Sequence, residues 1–145
     1  MKRYLNVALS LLLIASVALL SSCGDDDPKP KSKTELLTAH VWKITKLKVD
    51  GQEGEPETCD KDDEFTFEAD GDYKEVENVK CEPDDAASTT GTWQFKSNET
   101  VVAVSVIDSG FTITLDKEIV ELTETTLKVK YTILGFAVEE TYSPK

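Results

Sequence analysis

Histidine is nearly absent from this 145-residue chain, with His40 its one copy. A single histidine cannot build a His-rich metal centre, and as a catalytic base it needs an oriented nucleophile and a third group. His40 reads instead as a partly exposed residue at a strand start. No G-x-S-x-G, H-E-x-x-H or phosphate-loop pattern occurs. Positive charge is scarce: 16 Lys and Arg stand against 28 Asp and Glu, a net charge of −12. No basic patch interleaved with aromatics exists, so no nucleic-acid partner is expected, and the acidic surface repels polyanions. The three cysteines show no C-x-x-C spacing, which removes the usual redox motif. Long helical periodicity is missing as well.

Carboxylates are so plentiful that a pair of them is uninformative. Asp60, Asp62, Asp63 and Glu64 cluster beside Cys59, and Asp70 and Asp72 bracket Gly71. Calcium takes such ligands, but the spacing fits no calcium loop and Asp70-Gly71 is turn chemistry, so no metal and no cofactor are expected. A glycosidase pair needs one carboxyl in an apolar pocket. Glu121, Glu124, Glu139 and Glu140 lie on strands or turns, and none is singled out. The chain is therefore read as non-enzymatic.

The N-terminus has a targeting pattern. Lys2 and Arg3 precede an apolar run, Leu5 to Leu20, broken only by Asn6, Ser10 and Ser16. It falls short of the roughly 20 apolar residues that span a bilayer and reads as a signal segment over residues 1–22. Leu20-Ser21-Ser22-Cys23 resembles the lipobox of bacterial lipoproteins, which implies cleavage before Cys23 and lipid on its thiol. Loss of Lys2 and Arg3 takes the net charge from −12 to −14. Asp25-Asp26-Asp27 resembles the surface-export signal of Bacteroidota-type lipoproteins, implying an outer-membrane, cell-surface address, with the inner leaflet of the outer membrane as the alternative. Pro28 to Lys33 is rich in Pro and Lys, and residues 23–34 form an extended tether.

From residue 35 to 145 the pattern is a short helical turn around Thr34-Glu35-Leu36-Leu37, then strands. Trp42, Ile44, Leu47 and Val49 alternate with polar residues, with a phase slip between Ile44 and Leu47 that calls for a bulge. Residues 50–56 read as a turn-rich loop. Phe65 and Phe67 precede an Asp70-Gly71 hairpin, and Tyr73 opens a partner strand reaching about Cys81. Further strands run through Trp93 and Phe95, Val101 to Ile107, Phe111 to Leu115, Ile119 to Leu122, Leu127 to Ile133, and Phe136 to Tyr142. Eight or nine short strands at about ten-residue spacing predict an all-β sandwich or barrel of sequential hairpins.

Assigning Cys23 to lipid leaves Cys59 and Cys81 as a pair in an oxidising compartment. The hairpin turning at Asp70-Gly71 brings them together, which favours a disulfide. Metal binding by two thiols with no histidine nearby is the weaker reading.

Leu36-Leu37 with Trp42-Lys43-Ile44, Cys59 through Phe67, Asp70 through Tyr73, Cys81, Gly91 through Phe95, Ile119 through Thr123 and Thr141 through Pro144 resemble, in order and spacing, the small lipocalin-like lipoprotein domains of Bacteroidota-type bacteria. The resemblance implies an eight-stranded antiparallel up-and-down barrel with a Cys59–Cys81 bridge. In such a barrel alternate positions face inward. Trp42, Phe65, Phe67, Tyr73 and Trp93 are candidate lining residues, and so are Phe95, Phe111, Tyr131, Phe136 and Tyr142, although the same alternation is what a packed core requires of each. The expected function is binding of a small apolar or amphipathic ligand by a monomer. The alternative is a filled barrel whose loops contact a protein or glycan. An interior cavity, and any buried carboxylate facing it, are the features that discriminate.

Overall fold

The computed structural model describes residues 29–84 and 86–145. Helix α1 (Lys33–Thr38) comes first. The Ser32 hydroxyl accepts the Glu35 N–H at 3.2 Å, and the Glu35 carboxylate accepts the Ser32 N–H at 2.7 Å. The cap is Ser32, two residues before the Thr34 that opens the expected helical turn, because Glu35 lies at the three-residue spacing a reciprocal capping box needs.

Nine strands follow among the described residues: β1 (Val41–Val49), β2 (Gln52–Gly54), β3 (Glu64–Phe67), β4 (Asp72–Val76), β5 (Ser88–Lys96), β6 (Val101–Asp108), β7 (Phe111–Leu122), β8 (Leu127–Ile133) and β9 (Phe136–Pro144). All pairings are antiparallel. β1 joins both β3 and β9, which closes an eight-stranded up-and-down barrel. The register of β1 against β9 shifts between Ile44 and Lys46. This is the bulge that the alternation demands, and it lets both Ile44 and Leu47 face inward.

Two elements differ from expectation. β2 folds back on β1 in what the pattern shows as a loop, because Asp50 and Gly51 both take positive φ (51° and 78°). That geometry matches the twist of a two-residue hairpin. Every residue of β2 is exposed, so no alternation marks it. β4 stops at Val76 rather than running to Cys81. Beyond the Glu77 N–H bond to the Ala87 carbonyl, Pro83 and the acidic residues around it oppose further pairing.

The register sorts the barrel ends. α1 and the turns 68–71, 97–100 and 123–126 share one end, which is packed. Leu37, Trp42, Phe67, Trp93, Val102 and Leu127 are buried there. The Trp42 indole N–H donates to the Leu37 carbonyl at 2.8 Å, and the Trp93 indole N–H to the Glu68 carbonyl at 2.8 Å. Fully burying Leu37 contributes about 2 kcal/mol to holding the helix against the barrel. The other end carries the turns 50–51, 109–110 and 134–135, a 3-10 turn (Asp60–Asp62) and the 77–87 loop.

Candidate functional site

Toward that second end the barrel is hollow. A cavity of about 410 Å3 lies between the strands, within the size range of small-molecule sites. Val102, Val104 and Val106 of β6 continue into Ile113 and Leu115 of β7 as one aliphatic wall. β7 pairs with β8 only from Glu118 to Leu122, so β7 from Phe111 to Lys117 lacks a partner on that side.

Against this wall stands a polar cluster. Lys117 Nζ donates to Glu140 Oε2 at 2.8 Å and to the Tyr142 hydroxyl at 3.3 Å. The Tyr131 and Tyr142 hydroxyls donate to Glu140 at 2.7 Å and 2.6 Å. Lys117 Nζ also lies 4.8 Å from the Tyr131 ring centroid, a cation–π distance. Burial pushes the Glu140 carboxyl up, but the Lys117 charge and the three hydrogen bonds outweigh it and hold the group below its ordinary value. Burial, then Glu140 itself, pushes both tyrosine hydroxyls up, so they remain donors.

A second acidic pair has weaker support and no ion-pair partner among the described residues. Asp63 is 7% exposed and borders the cavity, and its Oδ1 has no hydrogen-bond partner. Burial raises its carboxyl to about 6, helped by Glu75, Glu77, Asp62 and Asp60. Glu75 also borders the cavity and accepts the Tyr73 hydroxyl at 3.1 Å. Burial raises Glu75 as well, with Tyr73 and Lys117 opposing. The Cys59–Cys81 disulfide ties the segment before Asp63 to the loop after β4, with its Cα atoms 5.3 Å apart.

Phe65, Phe67, Tyr73 and Tyr131 border the cavity. Trp42 and Trp93 lie instead in the packed core, and Phe95 is half-buried against it. Phe111 and Phe136 correct the lining expectation, being 75% and 53% exposed. Each opens a strand beside a hairpin turn, beyond the level at which opposite walls meet. Cys23 and the acidic run behind it lie outside the described residues. His40 packs edge-on against Trp42, ring centroids 5.6 Å apart.

Sequence reasoning did not single out Lys117, Glu75 or Glu140 as cavity residues, while Tyr142, one of the aromatics at alternating positions, does border the cavity. The available signal was phase: Glu75 follows Tyr73 by two, Lys117 follows Leu115, and Glu140 lies between Val138 and Tyr142, all on inward positions.

Among curated proteins none matches this chain. A solved lipocalin-like protein from Bacteroides uniformis is similar in fold, with a TM-score of 0.53 at 11% identity over 74% of this chain and 98% of that one. The model of the lipocalin-like domain matches residues 38–129, more than half of the chain. Strand order, closure and family match agree: this chain belongs to the lipocalin-like domain family.

Proposed function

We propose that the chain is an outer-membrane lipoprotein, anchored through Cys23 and displayed on the cell surface, whose barrel binds a small apolar or amphipathic ligand without catalysis. One observation carries the binding half: the 410 Å3 cavity with an aliphatic wall and a few convergent polar groups. Such a combination is what small-ligand sites present. An open interior counts against a filled barrel acting only through its loops. Buried carboxylates do face the cavity, which is also what a carboxylate-based hydrolase needs. Glu140 is engaged in holding Lys117, and Asp63 and Glu75 are taken as recognition groups.

Native mass spectrometry of the protein taken from its own cells tests the reading. A reproducible co-purifying small molecule is expected. A clean apo mass, together with no binding of alkyl probes, overturns it.

A further inference from the structure

The charges around the cavity do not balance. Asp60, Asp63, Glu75 and Glu140 face it against one cation, Lys117. Lys117 is already taken by Glu140 at 2.8 Å. No cation is in ion-pair contact with Asp63 or Glu75 among the described residues. Leaving a carboxylate oxygen both buried and unpaired is costly, and Asp63 Oδ1 is such an atom. Most buried polar groups in folded proteins find a partner, so an orphan in a cavity wall points to one supplied from outside.

Resting on the reading of the barrel as a ligand binder, we propose that the cavity takes an amphiphile with a cationic, amine-type head, seated between Asp63 and Glu75, its apolar tail lying along the β6–β7 wall. An ammonium supplies donors to two carboxylates through charge-assisted hydrogen bonds. A fatty-acid carboxylate would instead add a negative charge beside Asp63 and Glu75, and the one nearby cation is neutralised. A bare metal ion fits poorly. Among the described residues the one ligand cluster is Glu57 with Cys59 and Cys81, whose sulfurs are in the disulfide, and the cavity carboxylates do not converge on a point as a hard cation requires.

Two further features agree. Glu57, Asp62, Glu77 and Asp84 lie in the segments at the same end of the barrel, where Lys61 is paired to Glu55 and Lys43 to Glu64 and Lys80 is a further cation in the 77–87 loop. A rim with an excess of acidic groups concentrates cations at a cavity mouth. The volume also suits a short chain: at about 30 Å3 per water-sized group, 410 Å3 holds roughly a dozen heavy atoms.

The test is calorimetric titration of the full chain with decylamine, decanol and decanoate, which share an alkyl tail and differ in head charge. Decylamine is expected to bind at least about tenfold more tightly than the other two. The Asp63→Asn/Glu75→Gln variant is expected to lose that preference while keeping its affinity for decanol, which reports an intact cavity. Single Asp63→Asn serves if the double variant does not fold. Decanoate binding as well as decylamine overturns the cationic head but leaves the binding reading standing. A preference that survives in the variant means the amine sits elsewhere, and overturns the site. No binding of any of the three overturns both readings.

Discussion

Asp63 holds its charge where the fold disfavours it. An acid raised from 3.8 to about 6 on folding binds its proton more tightly in the native state. Its contribution therefore favours folding fully below about 3.8 and is lost as pH rises through about 6, a swing of at most about 3 kcal/mol once solvent screening is allowed for. The groups that repel it are Glu75 and Glu77 from the β4 side and Asp60 and Asp62 from the 3-10 turn. Asp63→Asn should therefore be more stable than the parent by up to about 3 kcal/mol above pH 6.5, with the difference vanishing near pH 4. Urea unfolding of both proteins across that range checks it, and a difference independent of pH would remove the explanation. A variant that gains stability and loses amine preference has the signature of a residue kept for binding. Lys117 is the opposite case. Lys117→Met strands the buried Glu140 with two tyrosines, and breaking a buried pair costs about 3–5 kcal/mol. Adding Glu140→Gln should recover most of that, since no buried charge then remains. A double-mutant cycle measured by thermal unfolding reads the coupling, and additive losses would show that the pair is not coupled.

At the level of elements, the β3–β4 hairpin is stapled across its open ends. With a sequence separation of 22, removing the bridge by Cys59→Ser/Cys81→Ser should cost about 3 kcal/mol on the loop-entropy account, seen as a lower denaturant midpoint with a slope equal to or steeper than the parent's, since the unfolded chain expands. β5 has a tighter constraint. A Cβ on Gly91 would collide with the backbone carbonyl of Ser105 and crowd the Val106 side chain, so Gly91→Ala should cost about 1–3 kcal/mol by overpacking, measured by thermal unfolding. An unchanged midpoint would mean β5 and β6 separate freely there. Period-two alternation made most of this ring legible in the sequence: Leu127, Val129 and Tyr131 announce β8, and the slip after Ile44 announces the β1 bulge. β2 was not legible, because Gln52, Glu53 and Gly54 bury nothing and the turn before them acts through backbone angles. Phe111 and Phe136 misled because alternation reports a face and not a height along the barrel. Lys117 and Glu140 stand at inward positions, but they lie on different strands, 23 residues apart, and only closure of the ring pairs them. In a chain with 28 acidic residues, an inward glutamate is one of many until its cation is found.

For the whole molecule, charge and anchor act in opposite directions. Side chains after Ser22 sum to −14, so the barrel is repelled by anionic headgroups. On the proposed lipoprotein reading attachment comes from lipid on Cys23, and each buried acyl methylene contributes about 0.8 kcal/mol. Two independent features of residues 23–27 then have separable effects. Cys23→Ala removes the acceptor thiol, and unlipidated precursor should accumulate with the mature, lipidated form absent from outer-membrane fractions. Normal processing of that variant would overturn the lipoprotein assignment outright. Replacing Asp25, Asp26 and Asp27 with alanine leaves the thiol and the barrel untouched. That variant should still fractionate with the outer membrane but become resistant to protease added to intact cells, while the parent is cleaved. Equal cleavage of both would mean the acidic run is only a solvated spacer. On the proposed surface location and amine binding, the same comparison bears on the cavity, because moving the barrel across the outer membrane changes the pool of small molecules it meets. Relocating it without altering Asp63 or Glu75 should change which small molecule co-purifies, while the preference for decylamine over decanoate in vitro stays the same.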